Sequence, residues 1–178
     1  MAVILGAFWE ASDSEPSLPA VAGRLESALV RAGERGRATD ISECFATCVI
    51  AEIPPGRDSL HILNRGHPEP LLLDATGGVT KLHPGEFALP LGLGNLSTHT
   101  SGPDQWPFPR DSTLLLYTDG LSESRGASGD FYDPVRHLEG RTFSSPGLLL
   151  ASVAADVRRH TSGARDDDMA LMAVTRSP

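Results

Sequence analysis

Two groups of carboxylates in this chain stand where a metal ion could use them. Asp119 lies in Tyr117-Thr118-Asp119-Gly120, at the end of the apolar run Thr113 to Thr118, and Asp166-Asp167-Asp168 directly precedes a second run, Met169 to Thr175. A carboxylate at the end of a buried strand is held by rigid backbone yet points out of the sheet, which suits a ligand. Three adjacent like charges are costly unless water solvates them or a cation neutralises them. Oxygen-only ligands at two strand ends suit a hard cation, Mg²⁺ or Mn²⁺, rather than zinc. Hard cations that hold water in such sites usually serve phosphoryl chemistry, as Lewis acid and water activator. Each group also has a plainer reading. Asp-Gly is a common hairpin-turn pair, and an Asp triplet serves equally as a solvated loop.

The third feature is Asn64-Arg65-Gly66-His67-Pro68. His67, between glycine and proline at a strand exit, reads as a turn histidine capping backbone groups more readily than as a catalytic base. His61 lies within a strand and has no partner that the sequence names. Cys44 and Cys48, with three residues between them, do not fit a zinc knuckle and read as small core or edge residues. Neither G-x-S-x-G, nor a P-loop, nor GxGxxG occurs.

The elements that must position these residues follow from periodicity and punctuation. Met1 to Glu10 is apolar nearly all round and starts without an N-cap, which suits a helix pressed into a core. Ser12 to Pro16 reads as a loop. A second helix opens at Ser17-Leu18-Pro19, with Val21, Leu25, Ala28 and Leu29 on one face. Phe45 to Ile53 reads as a strand ended by Pro54-Pro55-Gly56, followed by strands at Ser59 to Asn64, Leu71 to Leu73 and Val79 to Leu82. Their short connections predict an antiparallel meander. Pro84 to Arg110 reads as a long Gly/Pro-rich passage, Pro146 to His160 as a helix and Met169 to Thr175 as the closing strand. The fold class is α+β, helices packed on antiparallel sheet.

Composition narrows the function classes. The 178 residues carry 15 Lys and Arg against 23 Asp and Glu, a net charge of −8. Nucleic-acid phosphates demand a basic face, so nucleic acid is not an expected partner. No apolar run approaches the ~20 residues of a membrane span, and the opening decapeptide lacks the basic lead and cleavage site of a secretory signal. Two cysteines are too few for a disulfide framework. The expectation is a single domain, residues 1–178, in the cytoplasm with reduced thiols and no membrane association.

Four segments in order carry a resemblance: Asn64-Arg65-Gly66-His67-Pro68-Glu69-Pro70-Leu71-Leu72-Leu73, Pro90-Leu91-Gly92-Leu93, Leu115-Leu116-Tyr117-Thr118-Asp119-Gly120-Leu121 and Asp167-Asp168-Met169-Ala170-Leu171. Together they resemble the PPM-type, metal-dependent (type 2C-like) serine/threonine phosphatases, in the bacterial sporulation-stage-II-E/RsbU-like branch. The resemblance implies an α-β-β-α sandwich with a binuclear Mn²⁺/Mg²⁺ centre. It also implies direct hydrolysis of phosphoserine or phosphothreonine by metal-activated water, without a phosphoenzyme. Asp119 matches the metal aspartate of the T-D-G motif, and Asp167 the first aspartate of the closing motif. Asp168 is its neighbour, Gly120 completes the motif without a side-chain donor, and His67 is adjacent to the site. Substrates in this branch are phosphorylated anti-sigma-factor antagonists.

Family domains open with two further acidic motifs, of G-D-x-x-D and G-D-x-x-G-x-G type, before the first long helix. Neither lies upstream here, so the resemblance implies a domain lacking roughly its first third. Asp119 and Asp167 alone offset poorly the four positive charges of a metal pair. Missing strands would leave a sheet edge and an apolar face open to homodimerisation. Three readings follow: a protein phosphatase, an inactive phosphatase-like remnant that binds a regulatory protein, and an α+β domain whose Asp motifs are turns. The order of the motifs favours the first two.

Overall fold

The structure, a computed structural model, describes residues 2–36, 45–96, 101–162 and 168–177. The chain is α+β with two antiparallel sheets, each belonging to its own compact unit. The first unit comprises Met1–His67 and Pro84–Pro107, the second Pro68–His83 and Phe108–Pro178. Among the described residues no helix is long and apolar enough to cross a membrane.

In the first unit, helix α1 (Ala2–Ser14) packs on α2 (Leu18–Gly36), and α2 packs on strands β1 (Cys48–Glu52) and β2 (Ser59–Arg65). The amphipathic face of α2 does what its spacing predicts: Leu18, Val21, Ala22 and Leu25 are buried with Ala11, Ile50, Leu63 and Leu91. α1 runs through Ser12-Asp13-Ser14, where the sequence suggests a loop. The Ser12 and Ser14 hydroxyls donate back to the carbonyls of Trp9 and Glu10, so residues that usually leave helices are held in this one. The β1–β2 connection turns at Pro55-Gly56, with Gly56 at φ +69° and the Arg57 amide donating to the Pro54 carbonyl.

The expected meander of four strands is not the topology. β2 pairs with β5 (Asp104–Pro107), giving the order β1-β2-β5, with Leu60 opposite Trp106. Strands β3 (Leu71–Leu73) and β4 (Val79–Lys81) belong to the second sheet, ordered β4-β3-β6-β7 with β6 (Thr113–Tyr117) and β7 (Leu171–Thr175). β5 lies inside the Gly/Pro-rich passage read as irregular; a four-residue edge strand ending in proline leaves little alternation to detect.

The second unit buries Leu71, Leu73, Leu115 and Tyr117 of the sheet with Leu149, Val153 and Val157 of α5 (Pro146–His160). β6 is paired on both sides, by β3 and β7, and its adjacent Leu114 and Leu115, which point to opposite faces, are both buried. Ser145 caps α5, accepting from the Leu148 amide, Pro146 occupies the first turn, and Arg158, Arg159 and His160 end the helix. Two short helices, α3 (Asp119–Ser122) and α4 (Pro134–Leu138), insert the buried Leu121 and Leu138 into the same core.

Candidate metal centre

The ladder between β6 and β7 carries its last strand pair at Tyr117 and Leu171 and then continues for one further step. The Thr118 amide donates to the Ala170 carbonyl at 3.1 Å, and the Ala170 amide donates to Thr118 Oγ1 at 3.0 Å. A threonine side chain thus replaces the backbone acceptor where the strand ends and α3 begins. Immediately beyond, Gly120 lies against the backbone of Asp168. A Cβ at Gly120 would stand 2.9 Å from the Asp168 carbonyl carbon and 3.3 Å from Met169 Cα. Glycine is therefore required here by close backbone approach, although no positive φ is involved. These contacts stitch Thr118-Asp119-Gly120 to Asp168-Met169-Ala170.

Asp119 opens α3 rather than a hairpin. The Leu121 amide donates to the Thr118 carbonyl at 2.9 Å and the Glu123 amide to the Asp119 carbonyl at 2.7 Å, which closes a helical turn. The Gly120 amide donates to Asp119 Oδ1 at 3.0 Å. The side chain of Asp119 is exposed, and among the described residues it has no ion-pair partner. Asp168 is exposed as well. Asp166 and Asp167 lie outside the described residues, as does Cys44. Sequence reasoning missed Ser124, whose hydroxyl donates to the Gly120 carbonyl at 2.7 Å and braces the same corner. A hydroxyl four residues beyond a glycine at a helix start is the signal that could have found it.

The donor chemistry of the corner fits a hard cation in one respect. Mg²⁺ takes one or two carboxylates and completes its shell with water and phosphate oxygens, a demand that exposed aspartates can meet. A closed protein cage is a different matter: among the described residues no group of three or more His, Cys, Asp or Glu side chains could hold a metal ion. The letters G-D-x-x-D do occur downstream, at Gly129-Asp130-Phe131-Tyr132-Asp133, but both carboxylates are engaged locally. Asp133 caps α4, accepting from the Val135 and Arg136 amides, and Asp130 bonds the Ser128 hydroxyl.

Asn64-Arg65-Gly66-His67 belongs to the first unit, where the side chains of Asn64 and Arg65 serve architecture. The Asn64 amide group brackets His67, accepting from its amide at 2.8 Å and donating to its carbonyl at 2.9 Å. Capping at this turn is thus done by Asn64 on the backbone of His67. Gly66 turns the chain at φ +70° against Pro90, and Arg65 donates to the Leu89 carbonyl and to Glu26. Glu26 in turn accepts from the Gly94 amide at 3.1 Å. The segments Asn64–His67 and Pro90–Gly94 are therefore one bonded device around the buried Leu91. His61, without a partner in the sequence reading, has Glu52 across the strand pair at 3.1 Å. Burial pushes the Cys48 thiol up, against the opposing pull of Arg65, which disfavours the reactive thiolate.

Known structures share this fold. The PP2C phosphatase domain with a fragment of the regulatory domain of the cell fate determinant SpoIIE, from Bacillus subtilis, superposes with a TM-score of 0.76 at 18% identity, over 96% of this chain and 48% of that one. The SiaA-PP2C domain of Pseudomonas aeruginosa gives 0.76 at 13% identity, over 98% and 68%. A structure of RsbU and RsbW domains from Mycobacterium tuberculosis gives 0.66 at 19% identity, over 100% and 48%. This chain thus spans about half the length of the first and third of these. At such identities the likeness is one of fold, the PP2C phosphatase-domain fold. No curated protein matches the sequence. The family model for stage II sporulation protein E (SpoIIE) matches residues 1–177, and the chain belongs to that family.

Proposed function

We propose that this chain acts as a metal-dependent phosphoserine/phosphothreonine protein phosphatase of bacterial regulatory type, on a phosphorylated protein of the anti-sigma-factor-antagonist kind in the cytoplasm. The observation that carries the reading is the corner in which Thr118-Asp119-Gly120 is stitched to Asp168-Met169-Ala170, with Asp119 exposed and lacking a cation among the described residues. Family membership and fold support it, and the similarly folded catalytic domain of the serine/threonine phosphatase PstP was solved with two manganese ions.

In this reading Asp119 and Asp167 hold a Mn²⁺ or Mg²⁺ ion, with Asp168 beside them. When bound, such an ion supplies Lewis acidity toward phosphoryl oxygens and activates water. Thr118 fixes the end of β6 so that Asp119 leaves the sheet at a constant place. Gly120 admits the Asp168 backbone, which keeps the two acidic segments adjacent. Leu121, fully buried, anchors α3 and limits its motion. The protein's contribution is positioning, the larger part of what phosphoryl transfer asks of an enzyme.

The test is Mn²⁺-dependent hydrolysis of p-nitrophenyl phosphate by the 178-residue chain beside Asp119→Asn. Turnover that needs both Mn²⁺ and Asp119 supports the reading. A folded chain without turnover, or an Asp119→Asn variant as active as the parent, contradicts it and turns attention to a phosphatase-like module that binds a regulatory protein.

A further inference from the structure

Directly beyond α3 the chain forms a small hairpin. Arg125 bridges Phe131, the Gly126 amide donates to the Asp130 carbonyl at 2.8 Å, and the Tyr132 amide donates to the Ser124 carbonyl at 2.9 Å. Both ends of this hairpin are anchored. Tyr132 is buried and stacks on His137 with ring centroids 4.4 Å apart, and Ser124 Oγ bonds the Gly120 carbonyl next to Asp119. His160, at the end of α5, bonds the Asp130 carbonyl at 3.1 Å and crowds Gly126. The hairpin is thus fixed to the same corner that carries Asp119.

What it presents is a guanidinium on an aromatic face. The Arg125 guanidinium carbon sits 4.4 Å from the Phe131 ring centroid, and both residues are exposed. The chain is rich in carboxylates, and Glu123 and Asp130 are near in sequence, yet among the described residues none pairs with Arg125. An arginine held over a ring keeps its charge and its fork of donors while losing some rotamer freedom, which prepares it for an anion. α3 covers Asp119–Ser122, Glu123 caps it in a helical conformation, and two further steps lead to Arg125. The Cα atoms of Asp119 and Arg125 therefore lie within about 13 Å of each other, the span of about four extended residues.

We propose that Arg125, seated on Phe131, is a specificity subsite that engages a carboxylate side chain of the protein substrate within about four residues of its phosphorylated serine or threonine. The proposal rests on the phosphatase reading above and names a feature of its substrate. An exposed cation of this kind contributes discrimination of about fivefold, and added salt reduces it.

The experiment measures binding of labelled peptides by fluorescence anisotropy in Mn²⁺. The peptides carry a non-hydrolysable phosphonate analogue of phosphoserine, flanked either by Asp and Glu or by Asn and Gln. The parent chain prefers the acidic peptide about fivefold, Arg125→Gln brings the ratio close to one, and Arg125→Lys keeps part of the preference. Phe131→Leu, which removes the ring and keeps the bulk, narrows the ratio and serves as the second probe should the glutamine variant misfold. A parent ratio of one, or a parent-like ratio in Arg125→Gln, overturns the proposal. Equal weakening of both peptides also overturns it, because Arg125 would then meet the phosphoryl group. Failure of the phosphatase reading shows separately, as absence of Mn²⁺-dependent turnover, because the peptide ratio is read without turnover.

Discussion

Asp156 and Asp119 are carboxylates of the same unit held in opposite ways. Asp156 lies on α5 with only 5% of its side chain exposed, bonded to Arg141 at 2.5 Å and to Arg159, while Arg141 also bonds the Ser152 hydroxyl. Asp119 stands exposed at the start of α3, with a neighbouring amide for company and no cation among the described residues. A buried carboxylate without a partner would be expensive, so the fold surrounds Asp156 with guanidinium groups and leaves it nothing to bind. Asp119 costs little in water and stays accessible to an outside ion. The difference separates carboxylates that hold the fold from those that can do chemistry, a distinction that counting acidic residues does not make.

The largest expected effect falls on the structural member of the pair. Asp156→Ala leaves Arg141 half-buried without its anion and destabilises the second unit by about 2–3 kcal/mol, seen as a lower urea midpoint at unchanged slope. Arg159 is 77% exposed and adds little to that figure. Asp119→Ala, in contrast, changes stability by less than about 0.5 kcal/mol. Equal destabilisation by the two variants would break the comparison.

Gly120→Ala comes next. The added methyl group meets the Asp168 backbone, which has to move, at a cost of about 1–2 kcal/mol. Its signature is a pairing of modest destabilisation with weakened Mn²⁺ binding. Gly129→Ala, where a Cβ meets nothing although φ is +86°, is strained without touching the corner and leaves Mn²⁺ binding intact. Loss of binding in both variants would mean that general strain, and not the Gly120–Asp168 contact, governs the site.

The smallest effect, nil at neutral pH, concerns the core beneath the corner. Burial, followed by the charges of Glu69 and Asp133, pushes the Tyr117 phenol up to about 12. Burial, with Asp156 next, does the same for Tyr132. In the unfolded chain both ionise near 10. Their contribution to stability is therefore complete below about pH 10 and is lost as pH rises through about 12. Tyrosinate absorbance should appear together with loss of secondary structure over that window. Phenol titration near pH 10 in a chain that stays folded would contradict the burial.

How far the sequence could be read differs between fold and site. The bounds Leu71–Leu73 and Pro146–His160 are those read from an apolar run and from an apolar stripe at helical spacing. The pairing of β2 with β5, and the placement of β3 beside β6, join segments tens of residues apart, and local periodicity carries no register for such pairs. α3 and α4 are too short for a helical period to show. At the site, Asp119 and the Asp triplet stand out by residue type. The Thr118–Ala170 exchange, one backbone and one side-chain bond across 52 residues, and the backbone approach of Gly120 to Asp168 unite them without a local sequence signature. Asn64 to His67 is the converse case. Its polar residues look chemical in sequence, and in the fold Asn64 bonds the His67 backbone while Arg65 bonds the Leu89 carbonyl and Glu26. Arg125 and Phe131 escaped notice because their pairing depends on a hairpin whose turn residues are ordinary loop formers.

The most direct test of the central claim is Mn²⁺ binding, followed by loss of the free-ion paramagnetic resonance signal on titration with the chain. The account predicts that the parent binds, that Asp119→Asn releases the ion at least tenfold more readily, and that Glu10→Gln, at an exposed carboxylate already paired with Arg24, binds as the parent does. Parent-like binding by a folded Asp119→Asn chain would contradict the assignment of Asp119 as the residue kept free for the metal.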